Sequence, residues 1–383
     1  MNMKKFLIIR TFPSVLDPKG YNIQEIGFAK ALVRCGVICD VVLYNGKNGN
    51  SEEIIDVKDH EHVVGNVKVY LRQGFGILKN GFFPGLKSIV KKYDVLQVHE
   101  YDQISSWKYY AFYKKNPVVI YHGPYYDEFN KGYNLKCKIF DNIFLKFKNN
   151  KDTLCFAKSN AAAEFLKTKG FKETVALGVG LDLDNFETNS SLPEISKDEF
   201  FNVIYVGKIE PRRNSFFLLD VIKDITEKNP LIHFTVIGDG EEEYTNKWLM
   251  EAQELINSNA LTYFKRKTQT ELKELYCKMD LMVFPSNYEI FGMVLLEAMY
   301  FDLPVISSLN GGSDTLITDG KDGIIMKGFD SLEWSDKILE LANGKMFYET
   351  IKQNLKNKDH SLYTWDGIAG KYMSEIEKHF GEK

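Results

Sequence analysis

The sequence predicts an α/β protein built from two doubly wound parallel sheets. Short apolar runs typical of buried strands alternate with amphipathic segments, as β-α-β units require. The alternation stops in a polar, aperiodic stretch at 187–200 and restarts with an apolar run at 201–207. A chain of 383 residues has room for two domains with a core each. We therefore expect domains at 1–186 and 201–362, joined by a linker at 187–200.

The first half opens with a strand at 6–10, a loop, and a helix at about 24–35 whose apolar residues recur on one face. Further strand-like runs follow at 39–44, 67–71, 95–99, 117–121 and 154–158. Ligands of parallel sheets bind beyond the carboxyl ends of the strands. His99 and His122 stand at two such ends, which makes them candidate site residues. A lone histidine before Gly-Pro, as His122 is, is equally typical of a structural loop.

The second half begins with the strand at 201–207, which is followed by two cations, Lys208 and Arg213, and by a helix from about Ser215. A strand at 234–240 ends in a glycine turn that contains Gly238. The pattern G-x-G at such a turn is weak evidence for a nucleotide site when it stands alone.

Residues 284–299 combine a strand end, a loop and a helix start. The first amides of a helix are unpaired and carry partial positive charge, so they form a ready anion site. Two carboxylates, Glu289 and Glu297, lie on either side of this helix start, where they could grip hydroxyl groups flanking a diphosphate. The simpler alternative is that Glu289 caps the helix and Glu297 is a solvated surface residue. The amides expected to face the ligand belong to Phe291, Gly292, Met293 and Val294.

This stretch resembles the E-x7-E signature of the retaining glycosyltransferases of family 4. The resemblance continues through Leu303-Pro-Val-Ile and Gly311-Gly312, and it ends at Tyr363-Thr-Trp365 and a closing helix at 366–383. It implies the GT-B fold, in which two Rossmann-like doubly wound domains face each other across a cleft. It also implies that the first domain binds the acceptor and that the closing helix packs back on it.

The resemblance also assigns roles to individual residues. Glu289 would contact the donor sugar, Glu297 the ribose, and His122 the donor sugar from the first domain. Lys208 and Arg213 would neutralise the diphosphate, with the types of the two cations exchanged relative to the family and with Arg212 as the alternative to Arg213. Donor-binding residues would be Gly20, Gly207, Gly238, Phe291, Gly292, Met293, Val294 and Glu297.

The function implied is transfer of a sugar from a nucleotide diphosphate sugar, with a UDP-sugar favoured, to an acceptor hydroxyl with retention at the anomeric carbon. The product would be a polysaccharide, glycolipid or other glycoconjugate. No metal and no cofactor are expected. The alternatives are a non-catalytic GT-B protein that binds a nucleotide sugar or acts as a scaffold, and a GT-B epimerase or phosphorylase.

Charge and composition bear on the partners. Residues 1–190 carry 27 Lys and Arg against 20 Asp and Glu, although the whole chain has a net charge of −3. A basic first half favours an anionic partner such as a membrane surface or a phosphate-bearing acceptor, or the acidic second half. Nucleic acid is not expected. Five scattered cysteines without metal spacing indicate a reducing cytoplasm.

Residues 131–151 alternate bulky apolar side chains with lysines and form a candidate for peripheral contact with the inner face of the membrane. The alternative is a helix that packs on its own core. A helix here is expected to present Ile139, Phe140, Ile143, Phe144 and Phe147 together.

Overall fold

The computed structural model of the protein describes residues 4–20, 23–147, 152–183 and 200–381. The chain divides into two compact units. Unit 1 comprises Met1–Asp182 and Ser361–Lys383, and unit 2 comprises Leu183–His360. Of the predicted linker, residues 187–199 lie outside the described part of the chain, as does Tyr21 beside the predicted donor residue Gly20.

Unit 1 is organised around an eight-stranded sheet with the order β10-β9-β8-β7-β1-β2-β4-β3, beside a separate two-stranded hairpin, β5-β6. The strands are β1 (Lys5–Ile9), β2 (Ile38–Tyr44), β3 (Ser51–Asp59), β4 (His62–Arg72), β5 (Phe75–Ile77), β6 (Asn80–Phe82), β7 (Val95–His99), β8 (Val118–His122), β9 (Cys155–Ala157) and β10 (Thr174–Ala176). Neighbouring strands of the eight-stranded sheet are parallel except β3, which is antiparallel to β4. The strands β5 and β6 are antiparallel to each other.

The strand order of unit 1 reverses between β1 and β7. From this pair the chain winds outward through β2 and β4 on one side and through β8, β9 and β10 on the other. Such a reversal is the topological switch point at which doubly wound sheets bind ligands. Sequence periodicity missed β3, β5, β6 and β10, because none of these strands contains a buried apolar run.

The helices of the first stretch of unit 1 are α1 (Gln24–Arg34), α2 (Lys87–Val90), α3 (Ile104–Phe112), α4 (Lys131–Ile143) and α5 (Asn160–Thr168). Helix α4 corrects the expectation that Ile139, Phe140 and Ile143 share one face. Phe140 is buried with Cys137 against the core, whereas Ile139 and Ile143 are 52% and 50% exposed. Cys137 and Phe140 are three residues apart, and Ile139 and Ile143 are four residues apart, so each pair shares a face of the helix and the two faces differ. The side chains of residues 147–151 lie outside the described part.

Unit 2 contains a six-stranded sheet with the order β13-β12-β11-β14-β15-β16, in which all neighbours are parallel. Its strands are β11 (Phe201–Val206), β12 (Ile232–Ile237), β13 (Leu261–Phe264), β14 (Leu281–Phe284), β15 (Val305–Ser308) and β16 (Ile324–Met326). Its helices are α6 (Ser215–Lys228), α7 (Glu242–Asn257), α8 (Gln269–Lys278), α9 (Met293–Tyr300), α10 (Ser313–Leu316), α11 (Ser331–Asn343) and α12 (Lys345–Lys356). The switch point lies between β11 and β14, so this is the Rossmann strand order.

The last helix, α13 (Trp365–Phe380), completes unit 1 by packing on α1. Phe28 contacts Trp365 and Tyr372, with ring centroids 5.6 and 5.0 Å apart. Gly27 makes this approach possible, since a Cβ at that position would lie 2.4 Å from the Trp365 indole nitrogen. None of the helices within the described ranges combines the length and apolarity needed to cross a bilayer.

Candidate functional site

The glycines of unit 2 bring two loops together at its switch point. A Cβ on Gly238 would lie 1.8 Å from the carbonyl oxygen of Gly207, and one on Gly240 would lie 2.0 Å from that of Ile209. The loop after β12 can therefore pack directly on the loop after β11. This packing gives the G-x-G pattern a structural reason that does not depend on a nucleotide.

Glu289 follows β14 and is buried against two arginines that follow β11. Arg212 Nη1 lies 3.0 Å from Glu289 Oε1 and donates to the Tyr288 carbonyl at 2.7 Å. Arg213 Nη1 contacts the same carboxylate oxygen, and its guanidinium lies 5.0 Å over the Phe284 ring. Arg213 and Arg212, the two alternatives for the second cation, thus both bind one carboxylate at the switch point.

A second carboxylate, Glu210, extends this arginine–glutamate cluster. Its Oε1 lies 2.7 Å from Arg212 Nη2 and 3.8 Å from Arg213 Nε. Burial lowers the pKa of Arg212, but Glu289 and Glu210 raise it more, so the net shift is upward. Arg213 Nε is buried and has no hydrogen-bond partner within the described residues. Glu210 therefore meets this donor by charge without a hydrogen bond.

Helix α9 begins beside Glu289. Its N-cap, Gly292, has a φ of 80° and supplies no side-chain cap to the first amides. Phe291 is buried, and Met293 and Val294 form the first helical positions. Glu297 lies within the helix and is 3% exposed, with the Tyr276 hydroxyl donating to its Oε2 at 3.1 Å. Both glutamates are buried, so Glu297 is not the solvated surface residue of the simpler alternative.

The other predicted donor residues are more open. Lys208 is exposed immediately after Gly207, and its carbonyl accepts a hydrogen bond from the Tyr205 hydroxyl at 2.9 Å. Gly20, in the loop before α1, belongs to unit 1 and is exposed.

The switch point of unit 1 carries a cavity of about 300 Å³. Arg10 follows β1, His99 ends β7, and Glu25 lies in the first turn of α1; all three line the cavity. Arg10 Nε and His99 Nδ1 each lie 3.2 Å from Glu25 Oε1. Burial raises the pKa of Glu25, but His99, Arg10 and Lys158 outweigh it and lower that pKa to about 2.

His122 is fully buried next to the same cavity wall. Its Nδ1 lies 2.5 Å from Glu100 Oε2, and its Nε2 lies 3.4 Å from the Tyr133 hydroxyl. Gly123 N–H also donates to Glu100 at 3.1 Å. Burial raises the pKa of Glu100, whereas the charge and hydrogen bond of His122 and the charge of Lys158 lower it, to about 2 overall.

Within the described ranges, one group of three side chains has metal-ligand geometry. Glu100, Asp102 and His122 each place a ligand atom within 4.8 Å of the others. The Lys136 ammonium lies 2.8 Å from Asp102, so a cation already sits beside this group.

Sequence reasoning missed Arg10, Glu25, Glu100 and Lys158. Arg10, Glu100 and Lys158 each directly follow a strand of the sheet, and a charged residue in that position is a signal that could have identified them. Glu25 gave no such signal, since an acid in the first turn of a helix is ordinary.

Residues 188–358 match the family model of the group 1 glycosyl transferases. A D-inositol 3-phosphate glycosyltransferase of Stackebrandtia nassauensis is 27% identical over 45% of this chain and 42% of its own length. A glycosyltransferase of Methanocaldococcus jannaschii is 30% identical over 43% of this chain and 44% of its own length. The chain thus matches less than half the length of either relative.

Solved structures match along nearly the whole chain. HepE of Anabaena, crystallised with UDP, has a TM-score of 0.71 and 18% identity, and the match covers 98% of this chain and 100% of that one. The chain has the GT-B fold. The match to the family model lies within unit 2.

Proposed function

We propose that the protein is a retaining glycosyltransferase of family 4 that moves a sugar from a nucleotide diphosphate sugar, a UDP-sugar first, to an acceptor hydroxyl in glycoconjugate synthesis. The observation that carries the proposal is the burial of Glu289 between Arg212 and Arg213 at the switch point, beside the uncapped start of α9. The arginines and the first amides of α9 could bind the phosphates of a sugar diphosphate, and the carboxylate could bind a hydroxyl of its sugar. The crystal structure of HepE with UDP supports the choice of base.

The cations would act on the leaving group. The bond from the anomeric carbon to the diphosphate breaks, the bond to the acceptor oxygen forms on the same face, and the acceptor proton passes to the departing phosphate. Lys208, Arg213 and the α9 amides would stabilise the growing negative charge, each cation by up to about 4 kcal/mol at ~4 Å and an effective dielectric of ~20. Glu289 would bind the sugar hydroxyls, and Glu297 would bind the ribose. This division requires no metal.

We propose that the acceptor binds in the unit 1 cavity. Arg10 and Lys158 offer donors there, and Glu25 and Glu100 offer acceptors with nearly balanced charge. Such a mixture suits a polyhydroxylated acceptor, which both donates and accepts hydrogen bonds.

Donor binding tests the proposal first. A panel of UDP-, GDP- and ADP-sugars should include one that raises the melting temperature, since a ligand at about 1000 times its Kd stabilises by about 4 kcal/mol. That donor should then release its nucleotide, and NMR should show the anomeric configuration retained in the product. A bound donor that is never turned over would favour the non-catalytic alternative, and loss of activity in EDTA would contradict the metal-free mechanism.

The phosphate assignment has its own test. Lys208→Ala and Arg213→Ala should weaken binding of UDP far more than binding of uridine, because only UDP carries the charge that they meet. Lys223→Ala, on α6, serves as the control for loss of a cation in the same unit. Equal losses for UDP and uridine would contradict the assignment.

We also propose that unit 1 contacts a membrane through the predicted segment 131–151. Helix α4 exposes Leu135, Ile139 and Ile143 on one stripe, with Lys131 and Lys138 exposed on the same helix. Ile139→Ser should reduce binding of the protein to anionic vesicles, and unchanged binding would refute the contact.

A further inference from the structure

Unit 1 has a second cavity, which shares no lining residue with the cavity at its switch point. Its volume is about 430 Å³, and it lies between the β5-β6 hairpin and α3. Phe75 and Phe112 line it and are 52% and 56% exposed, although large apolar side chains at a surface are usually covered. Phe75 stacks on Phe82, with ring centroids 5.1 Å apart. We call this the aromatic cavity.

The turn of the β5-β6 hairpin exposes an aliphatic side chain at the cost of backbone strain. Leu78 and Lys79 have φ angles of 48° and 62°, a conformation that Asn and Gly adopt far more readily than Leu. Leu78 is 84% exposed. A strained turn that holds a leucine in water indicates that the leucine has a partner outside the chain.

Trp107 is a further unsatisfied group of the aromatic cavity. It lines the cavity and is held edge-on by Phe112 and by Phe144, with ring centroids 4.8 and 4.9 Å apart. Its indole N–H is buried and has no hydrogen-bond partner within the described residues. A buried indole N–H ordinarily has a partner, and the ester oxygen at the head of a lipid chain could accept its hydrogen bond.

The two segments that line the aromatic cavity carry charge of one sign. Residues 73–93 and 103–117, which include the hairpin and α3, contain no Asp or Glu. Their lysines are all exposed, and none forms an ion pair with a described residue. These are Lys79, Lys87, Lys91, Lys92, Lys108, Lys114 and Lys115. An apolar cavity whose two lining segments contain only basic charged residues matches an amphiphile with an anionic head.

We propose that the aromatic cavity binds the hydrocarbon chain of an anionic lipid in a membrane surface, while the surrounding lysines meet lipid phosphates and Leu78 enters the interface. The inference rests on the proposed membrane contact of unit 1 and locates it. Lysine ammoniums are attracted to a phosphate surface at long range, whereas the aromatic walls and Leu78 require a hydrocarbon phase. The contact between Trp107 and Phe144 links the cavity to the segment after α4.

Vesicle cosedimentation of the full chain tests this inference without any need for catalysis. Binding should be strong to vesicles of equal parts phosphatidylcholine and phosphatidylglycerol and weak to phosphatidylcholine alone. Leu78→Asn keeps a residue that tolerates positive φ and removes the apolar side chain, so it should lower the partition coefficient about tenfold. Lys108→Glu should lower it at least about fivefold.

Matched controls separate the cavity from general surface effects. Met250→Ser removes an apolar side chain that is 78% exposed in unit 2, and Lys47→Glu reverses an exposed charge elsewhere in unit 1; both should leave binding unchanged. The inference is overturned if these controls lose as much as the cavity variants, or if only Ile139→Ser loses binding. It is also overturned if inorganic phosphate displaces the vesicles completely, because the site would then recognise phosphate alone. None of these outcomes depends on whether the protein transfers sugar.

Discussion

The two switch points of this molecule occupy the same place in their sheets and hold different chemistry. In unit 2 the carboxylate of Glu289 meets Arg212 and Arg213. In unit 1 the carboxylates of Glu25 and Glu100 meet His99 and His122. The doubly wound topology determines where charged side chains converge, and the residue types determine what they do there.

The difference between arginine and histidine lies in how each one meets a carboxylate. A guanidinium is a planar fork with five N–H donors, whereas an imidazole meets a carboxylate with one ring nitrogen. In unit 1 the pKa of Glu25 and of Glu100 is lowered to about 2, so we expect acid to destabilise unit 1.

The sharpest way to test the unit 2 half of this comparison is Glu289→Gln. The variant removes the charge that both arginines bind and, in the proposed mechanism, a contact to the sugar, so kcat/KM should fall about 10²–10³-fold. Steady-state nucleotide release measures it. Glu251→Gln, at an exposed position of α7, is the control, and a Glu289→Gln variant with wild-type turnover would remove Glu289 from the mechanism.

Acid titration probes the unit 1 half. The folded-state pKa of both Glu25 and Glu100 is about 2, below the ordinary value of 4.5. Because the folded pKa is lowered, the stabilisation is complete above about pH 4.5 and is lost as the pH falls toward about 2. Each carboxylate contributes on the order of 3 kcal/mol.

Denaturant midpoints measured across that acid range should therefore fall steeply for the wild type and less steeply for Glu100→Gln, which has one fewer carboxylate to protonate. Glu61→Gln, exposed in the turn between β3 and β4, should keep the wild-type slope. Identical slopes for all three proteins would show that the histidine pairs do not stabilise unit 1.

Much of the fold could be predicted from local sequence patterns, whereas the pairing of charged side chains at the two switch points could not. The strand at 95–99 and the helix start at 291–293 were predicted because an apolar run and a loop-to-helix change are local signals. The strand β3 was not predicted, because it is an edge strand with charged residues along most of its length. The contact of Glu25 with His99 was not predicted, because it depends on which strands become neighbours. Sequence periodicity carries no information about the order of strands in a sheet.

A smaller change in stability tests whether the two units unfold separately. Gly27→Ala should destabilise unit 1 by about 1–3 kcal/mol, since its Cβ would lie 2.4 Å from Trp365 Nε1 and 2.7 Å from Trp365 Cδ1. Gly370→Ala in α13 has no atom within 4 Å of the new Cβ and should be neutral or stabilising. Urea unfolding measures both. If Gly27→Ala weakens UDP binding to folded protein, the two units are coupled.

The smallest expected effect is that of Arg212→Lys, which bears on why unit 2 uses arginine. Arg212 bonds Glu210, Glu289 and the Tyr288 carbonyl at once, with distances of 2.7, 3.0 and 2.7 Å. A lysine keeps the charge but cannot reproduce the planar fork, so one of these contacts is lost and stability should drop by about 1 kcal/mol. Arg266→Lys, at a guanidinium that is 82% exposed, provides the control and should change nothing measurable. If Arg212→Lys also leaves the stability unchanged, charge alone holds Glu289. The geometry of the guanidinium would then have no part in distinguishing the two switch points.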